Sequence, residues 1–322
     1  MKPANPPDDP TATRHPVDWA AKPPSGAGRS AVMIGNLRSR RTAELFARAR
    51  HALAQGGISV LESQTVRDGK DMRDRVRKAV KAGHELVIVA GGDGSLTSVV
   101  GFFAHQSTVL GVLPFGTGNS FAKSLGIAAT VEEAVEVIVS GKVAKVDLGI
   151  VNDTYFANFA TIGLSSTIGR STPAALKKVF GPAAYGLAGI GPTLTSRAFE
   201  AKLRWDDHKL SVSTHQLIIA NGRYYGFTPI LPNATIVDGT LSVFTTNGLS
   251  RWDVAKMFVA LSRGDQTQLE NAEYFSTKEV TIKTKPRQSL DVDGEALGKT
   301  PARFSIARAA LKVMVPQDFT GG

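Results

Sequence analysis

One stretch, residues 86–97, restricts the fold of this chain more than any other. It opens with the apolar run Leu86–Ala90, which is rich in β-branched residues, and passes into a turn of three glycines and one aspartate, residues 91–94. A helix-compatible segment follows at once, and this order is typical of a strand, a tight turn and a helix. Glycines let an anion approach the backbone, and the first amides of a helix are unpaired donors at its positive end. The turn therefore predicts a phosphate-binding site.

A second turn of the same kind follows the next apolar run. Residues Leu113–Phe115 lead into Gly116-Thr117-Gly118-Asn119, and a short helix begins there and ends at Gly126. In an open α/β sheet, turns at the carboxyl ends of successive strands line one crevice. A single glycine-rich loop is often an ordinary turn. Two of them at one edge are a more specific sign of a nucleotide site.

The first half of the chain alternates strands with helices. Predicted strands at 31–34 and 58–63, and those before the two glycine turns, alternate with predicted helices at 42–55, 70–82 and 130–141. The last of these helices starts with a capping box, Thr130-Val131-Glu132-Glu133. This alternation predicts an α/β domain with a doubly wound parallel sheet.

From residue 145 the pattern changes to short strands. Two surround an Asn152-Asp153 turn, and further strand-like runs are 201–205, 210–220, 240–246, 279–285 and 310–315, with helices near 176–195 and 252–263. A mainly antiparallel β-sandwich is expected, with the active site in the cleft between the halves. The predicted division is a disordered arm at 1–29, an α/β domain at 30–144, a β-rich domain at 145–316, and a tail at 317–322 that packs back on the first domain.

Composition excludes several chemistries. The 322 residues are 42% hydrophobic and 20% charged, which is typical of a soluble globular protein, and they include no cysteine. Disulfides, thiolate zinc sites and a cysteine nucleophile are therefore excluded, and the six scattered histidines leave carboxylates and other oxygen ligands for any metal. No apolar segment is long enough to span a bilayer and no signal peptide is recognisable, so a cytoplasmic location is expected.

The net charge of +10 favours anionic partners. Nucleic acid is not expected, because the chain has neither an RNA-binding aromatic motif nor a helix-turn-helix signature. On the predicted helix at 70–82, Arg73, Arg77 and Lys81 share one face, and Asp71 precedes Arg75 by four residues. This helix is either a solvated, salt-bridged face or a membrane-docking face.

The two glycine turns resemble the signatures of one enzyme family. Gly91–Ser95 is similar to a GGDGT turn with serine in place of threonine, and Pro114–Lys123 resembles P-x-G-T-x-N-D-F-A-R, with Ser120 for the aspartate and Lys123 for the arginine. The chain thus resembles the diacylglycerol kinase-like lipid kinases, which are related to sphingosine kinases and more distantly to NAD kinases. The resemblance extends from about residue 31 to about residue 315, and it implies the same two-domain layout, with a lipid-substrate domain second.

The resemblance implies an ATP site. The turn after the first strand keeps Asn36 and Ser39 of the family's Asn-Pro-x-Ser-Gly but lacks its proline and glycine, and Thr65 is spaced from Gly91 as in relatives. The residues assigned to ATP in this way are Asn36, Ser39, Thr65, Gly91, Gly92, Asp93, Gly94, Ser95, Leu96, Thr97, Gly116, Thr117 and Asn119.

The resemblance also implies two magnesium positions. Asp93 and Asp147 would hold Mg²⁺ largely through waters, because magnesium keeps much of its hydration shell. Asp238 would hold a second, structural Mg²⁺ with the carbonyl groups of Thr235 and Thr240. Without the resemblance, Asp238-Gly239 is an ordinary hairpin turn.

The segment Asp291-Val292-Asp293-Gly294-Glu295 carries the predicted catalytic carboxylates. In relatives the aspartate of the D-G-E turn is the general base, which makes Asp293 the base here, with Glu295 beside it. Phosphoryl transfer needs a carboxylate to accept the proton of the alcohol, so the residue type fits. Without the resemblance, this segment is a turn between strands.

The predicted function is an ATP- and Mg²⁺-dependent lipid kinase that acts on diacylglycerol to give phosphatidic acid. A sphingoid base or another lipid alcohol is the first alternative. NAD kinase is the next, since that family shares only the first turn. A non-catalytic lipid or nucleotide sensor is also considered, although a binder would have no need of Asp293. The lipid would be met at an anionic membrane surface by reversible association, to which the basic surface and the apolar segment at 180–194 would contribute. The sequence leaves open whether the chain forms a homodimer.

Overall fold

The computed structural model describes residues 29–37, 39–128, 130–163, 197–225, 228–229, 234–247 and 272–321. The predicted arm, apart from Arg29, lies outside these ranges, as do the predicted helices near 176–195 and 252–263 and the apolar segment at 180–194. Within the described ranges, no helix is long and apolar enough to cross a membrane.

The first part of the chain is an α/β domain with a parallel sheet, as predicted. Its elements are β1 (Ser30–Asn36), α1 (Arg40–Gln55), β2 (Ser59–Val66), α2 (Gly69–Lys81), β3 (Leu86–Gly91), α3 (Asp93–Phe103), β4 (Val109–Pro114), α4 (Ser120–Ser124) and α5 (Val131–Ser140). The strands lie in the order β2-β1-β3-β4, all parallel. Side-chain caps fix three helix starts, because Ser39, Asp68 and Thr130 each accept a hydrogen bond from a backbone amide three residues later.

The second part is an antiparallel β-sandwich, again as predicted. Its strands are β5 (Lys142–Val151), β6 (Thr154–Phe156), β7 (Phe159–Gly163), β8 (Phe199–Trp205), β9 (His208–Thr214), β10 (Gln216–Ala220), β11 (Tyr224–Tyr225), β12 (Thr228–Pro229), β13 (Leu241–Thr246), β14 (Ala272–Thr277), β15 (Glu279–Lys285), β16 (Ser289–Val292), β17 (Glu295–Lys299) and β18 (Ala302–Val315). One sheet has the order β14-β13-β10-β7-β16-β17. The predicted single strand at 210–220 is wrong, because the chain breaks at His215 and sends β9 and β10 into different sheets.

The last strand, β18, joins the two parts. It lies beside β4, with Val313 opposite Leu110, and also pairs with β5 and β15, so one sheet continues from the parallel strands into the order β4-β18-β15-β8-β9. The register with β5 shifts between Ala307 and Leu311, and Ala309 in this bulge has a φ of 50°. The sequence predicted only the last part of β18, at 310–315.

Two apolar cores stabilise this arrangement. The first lies around the parallel strands and includes Phe103 and Phe121, and the second lies between the β-sheets and includes Leu203 and Phe304. Phe319, which follows β18, is buried in the first core. Because β16 and β17 are joined by a turn close to the carboxyl ends of β3 and β4, the candidate site takes residues from both parts of the chain.

Candidate functional site

The two predicted glycine turns lie side by side. Gly91 at the end of β3 is in register with Pro114 at the end of β4, and the amide of Phe115 donates to the carbonyl of Gly91 at 2.9 Å. A Cβ atom on Gly116 would lie 2.6 Å from the Cα atom of Gly92, closer than real Cβ contacts. Glycine is therefore required where the turns touch, and together they form one surface.

The first turn presents helix amides to the cleft. The amides of Ser95 and Leu96 donate to the carbonyl of Gly92 at 2.9 and 3.1 Å. The amides of Asp93 and Gly94 come before them in α3, and the first amides of a helix have no acceptor within it. Nothing lies within 4 Å of the position that a Cβ atom on Gly94 would occupy, so the space beside this turn is open. This geometry suits a phosphate group.

The side chains of two residues in the predicted ATP site face the protein interior. Leu96 is fully buried, and Thr97 is 8% exposed with its hydroxyl donating to the backbone carbonyl of Asp93 at 2.9 Å. Their side chains therefore stabilise α3 rather than line the cleft. Ser95, by contrast, lines the cleft, and its hydroxyl oxygen accepts from the Asn36 side-chain amide at 2.9 Å.

Asn119 holds the second turn in shape. It adopts a left-handed conformation with a φ of 49°, and it is 2% exposed. Its Oδ1 atom accepts from the amide of Gly116, and its Nδ2 atom donates to the carbonyl of the same residue, both at 3.0 Å. Thr117 is exposed at the tip of the turn. Asn119 thus acts on any nucleotide through the turn, whereas Thr117 is free to contact one.

Asp93 is the acidic centre of the glycine turns. Its Oδ1 atom accepts from the amide of Phe121 at 3.3 Å. Burial raises the pKa of Asp93, while backbone amides of the second turn and the ammonium group of Lys123 act in the opposite direction. Burial likewise lowers the pKa of Lys123, and the proximity of Asp93 opposes this. Lys123 replaces the arginine of the family signature and was not among the predicted site residues.

Asp293 lies in a two-residue hairpin turn between β16 and β17. Both turn residues have positive φ, 49° at Asp293 and 90° at Gly294, which is the pairing that Asp-Gly favours. The Asp293 carboxylate accepts three backbone hydrogen bonds, from Ala157 at 2.8 Å, Asn158 at 3.0 Å and Phe159 at 3.1 Å. The segment is thus a turn between strands, and this turn fixes the Asp293 carboxylate in a single orientation.

The electrostatic surroundings of Asp293 suit a base. Burial and, to a smaller extent, the negative charge of Asp93 raise its pKa to about 6, against the effect of the three amides. Asp93 and Asp293 come from different parts of the chain, so their mutual effect shows that the fold brings the D-G-E turn towards the glycine turns.

A cleft of about 370 Å³ connects the first glycine turn with the D-G-E turn. Its lining residues are Asn36, Thr42, Gly69, Arg73, Gly91, Gly92, Asp93, Gly94, Ser95, Ser98, Phe115 and Glu295. Glu295 comes from β17 and the others from the α/β domain, so the predicted nucleotide turn and the predicted catalytic turn share one cleft.

Arg73 is a cleft residue that sequence reasoning assigned only to a basic helix face. On α2, Arg75 pairs with Asp71 at 2.8 Å and Arg77 with Asp74 at 3.0 Å. Within the described ranges Arg73 has no ion-pair partner. The sequence contained a usable signal for this role. The four-residue spacing pairs Asp71 with Arg75, and it therefore leaves Arg73 without an acidic partner on the helix.

Two further predicted nucleotide residues line a neighbouring cavity. Ser39 and Thr65 face a space of about 590 Å³ beside the cleft, together with Arg40 and Arg67. Thr65 lies opposite Gly35 in the parallel pairing of β2 with β1, which brings it to the same sheet edge as Asn36. Ser39 also caps α1 through its side chain.

Asp147 and Asp238 are found in one region. The buried Asp147 carboxylate accepts from the amide of Gly239 at 2.7 Å and from that of Ala309 at 2.6 Å. Burial raises the pKa of Asp147, the two amides lower it, and Asp238 raises it further. Both Asp147 oxygens thus join the loop at 235–240 to the bulge of β18.

The exposed Asp238 is surrounded by hydrogen-bond donors. Its carboxylate accepts from the amide and hydroxyl of Thr240, both at 2.8 Å, and from the amide and hydroxyl of Thr235, both at 3.3 Å. The structure thus brings together the three residues predicted for a second Mg²⁺. The contacts between them are hydrogen bonds that Thr235 and Thr240 donate to the Asp238 carboxylate.

The donor set near Asp93 fits a hard cation better. In the described part of the chain, no three histidine or acidic side chains converge on one point. The two carboxylates Asp93 and Asp293 repel each other, and the buried Oδ1 atom of Asn36 has no hydrogen-bond partner. Mg²⁺ takes oxygen ligands and keeps several waters, so few protein oxygens are enough.

Family models cover most of the chain. Residues 30–151 match the model described as diacylglycerol kinase catalytic domain, and residues 159–315 match a YegS C-terminal NAD kinase beta sandwich-like domain. Among curated proteins, a diacylglycerol kinase of Staphylococcus epidermidis is 30% identical over 251 residues, which are 77% of this chain and 79% of the relative. A diacylglycerol kinase of Staphylococcus aureus is 30% identical over 244 residues, 75% of this chain and 78% of the relative.

Solved structures share the fold. A diacylglycerol kinase structure from Bacillus anthracis superposes with a TM-score of 0.70 at 20% identity, covering 89% of this chain and 97% of the other. Another structure from the same organism gives a TM-score of 0.76 at 22% identity, with coverages of 92% and 97%.

Proposed function

The chain belongs to the diacylglycerol kinase catalytic domain family and is a lipid kinase that uses ATP as its co-substrate; on that premise we propose that it transfers the γ-phosphate of ATP to the free hydroxyl of diacylglycerol, with Asp293 as the general base. The product would be phosphatidic acid. Glu295, which lines the same cleft, would assist at the acceptor side.

The observation that carries the proposal is the position of Asp293. A carboxylate with a pKa of about 6 is ionised at neutral pH and is still basic enough to accept a proton from an alcohol. Three backbone amides hold it in place, and its hairpin extends towards the phosphate-binding turns. A module that only binds lipid or nucleotide has no use for a base in this position.

The nucleotide phosphates would be bound by the first glycine turn and by two positively charged side chains. The amides of Asp93 and Gly94 at the start of α3 would donate to phosphate oxygens. Arg73 lines the cleft and Lys123 lies near Asp93, so both would offset the charge of the triphosphate. Thr117 at the tip of the second turn would add a hydroxyl, and the cavity beside Ser39 and Thr65 would accept the remainder of ATP.

Asp93 would hold Mg²⁺, with Asn36 as a neighbouring oxygen donor. When bound, the ion would neutralise phosphate oxygens during transfer. Asp147 would act on the site as a scaffold, because both of its oxygens already accept backbone hydrogen bonds. We assign no step to a metal at Asp238, because hydrogen-bond donors surround its carboxylate.

The test is transfer of labelled phosphate from ATP to a panel of lipids, run beside Asp293→Asn. The panel contains diacylglycerol, monoacylglycerol, sphingosine, ceramide and NAD in mixed micelles. If the wild-type chain transfers label to diacylglycerol and Asp293→Asn does not, although this variant still binds ATP, the result supports diacylglycerol as the acceptor and Asp293 as the base. Label mainly in sphingosine or in NAD would overturn the acceptor, and an active Asp293→Asn variant would overturn the base.

A further inference from the structure

The outer face of the sheet formed by β15, β8 and β9 carries a dense group of positive charges. Cross-strand registers place Lys283 opposite Lys202, and Arg204 between Thr281 and Lys209. Lys285 lies two residues beyond Lys283 on the same side of its strand. We call these five cations, Lys202, Arg204, Lys209, Lys283 and Lys285, the basic sheet face.

The basic sheet face is exposed and its charge is not neutralised. All five side chains are exposed, and within the described ranges none has an ion-pair partner. Two acids, Glu200 opposite Lys285 and Glu279 at the start of β15, face the same way on β8, β9 and β15. On the neighbouring strand, Arg303 is already paired with Glu279 at 2.6 Å. Asp206 and Asp207 lie beyond the face, in the turn that joins β8 to β9.

This arrangement costs stability, so folding alone does not explain it. Like charges directly opposite each other on neighbouring strands destabilise a sheet, and Lys202 and Lys283 are such a pair. The inward residues of the same strands, such as Leu203 and Ile282, supply the core packing and require nothing basic outside. The alternative basic surface, helix α2, differs, because Asp71 and Asp74 neutralise two of its arginines.

We propose that the basic sheet face docks the protein on an anionic membrane surface. A sheet places its outer side chains in one layer, so five cations can meet a plane of lipid head groups together. Base-stacking platforms of nucleic-acid-binding proteins use aromatic side chains. The outward residues of β8, β9 and β15 include none, which favours a lipid surface over nucleic acid. This inference rests on the proposed function in one respect, because that function places the substrate in a bilayer.

The test compares two variants of the full chain with equal loss of charge. One carries Lys202→Gln, Lys209→Gln and Lys283→Gln. The control carries glutamine at three exposed lysines of α2, Lys70, Lys78 and Lys81. Binding without ATP is measured by co-sedimentation with vesicles of phosphatidylcholine alone and of phosphatidylcholine mixed with anionic phosphatidylglycerol. Removal of the Lys202–Lys283 repulsion favours folding of the first variant, and circular dichroism checks it.

The wild-type chain and the α2 variant are expected to bind the anionic vesicles and not the neutral ones, more weakly as salt increases. Each charge removed from the basic sheet face should weaken partitioning about fivefold, and the three together about a hundredfold. The proposal would be overturned by an equal loss of vesicle binding in both triple variants, by a loss confined to the α2 variant, or by a wild-type chain that binds neither kind of vesicle. The proposal would also be overturned if the chain did not bind vesicles but bound duplex DNA or RNA through the same lysines.

A kinase assay separates this proposal from the proposed function. The sheet-face variant should phosphorylate a short-chain, water-dispersed diacylglycerol at the wild-type rate and lose activity only on diacylglycerol embedded in anionic vesicles. Loss of both activities would contradict a docking role. A chain that phosphorylates no diacylglycerol but shows the expected vesicle binding would refute the acceptor and leave the docking surface supported.

Discussion

Acidification should switch off the kinase through Asp293 well above the pH at which an ordinary aspartate titrates. With a pKa of about 6, about nine-tenths of Asp293 is ionised at pH 7 and about one-tenth at pH 5. The base acts only when ionised, so the rate at saturating ATP should fall about tenfold over this interval. An aspartate at the ordinary value of 3.8 would still be more than about nine-tenths ionised at pH 5.

The assay is a pH profile of the phosphate-transfer rate at constant ionic strength. Phosphate groups also titrate near pH 6, so the profile needs a second readout without nucleotide. The side-chain carboxyl carbon of Asp293, assigned by comparison with Asp293→Asn, is followed by NMR in the ligand-free protein. The reasoning is refuted if this carbon titrates near pH 4, or if the transfer rate is unchanged between pH 7 and pH 5.

The electrostatic cause can be tested in the same experiment. Asp93 raises the pKa of Asp293 by charge repulsion, so Asp93→Asn should lower the NMR titration midpoint of Asp293. Burial is the larger cause, so the midpoint should remain above the ordinary value for an aspartate. A midpoint that does not move would show that the two carboxylates are not coupled across the cleft.

Three further predictions follow from the site. Arg73→Gln should raise the KM for ATP about tenfold, because a charge-assisted contact to phosphate is lost, whereas Arg77→Gln should leave it within about twofold; steady-state kinetics would contradict this if both variants behaved alike. Gly116→Ala should destabilise the nucleotide-free protein by about 1–3 kcal/mol in urea unfolding, because the added Cβ meets backbone at 2.6 Å, while Gly94→Ala, which meets nothing within 4 Å, should change stability by less than about 1 kcal/mol. Asp147→Asn should lower stability by about 1–3 kcal/mol, since its amide group would face a backbone donor, and leave the Mg²⁺ dependence of the rate unchanged; a shifted Mg²⁺ dependence would make Asp147 a metal ligand after all.

Local sequence determined the elements that carry the site. An apolar run that ends in glycines and enters a helix-compatible segment specifies strand, turn and helix within a dozen residues, and this holds at both glycine turns. Asp293-Gly294 likewise specifies a two-residue hairpin by backbone preference alone. The parallel sheet and the antiparallel sandwich follow from the order of these elements, so the fold class was predictable.

Tertiary structure decided which side chains meet. Periodicity does not encode the distant pairings that place β18 beside β4 and β5, and it is the pairing with β5 that brings the Ala309 amide to Asp147. The motif likewise places Leu96 and Thr97 in the predicted ATP site, but only the orientation of α3 shows that their side chains are buried. Arg73 became a cleft residue only when α2 packed against the sheet. The pKa of Asp293 has a similar origin, because burial and a facing carboxylate are properties of the assembled molecule and not of the D-G-E turn.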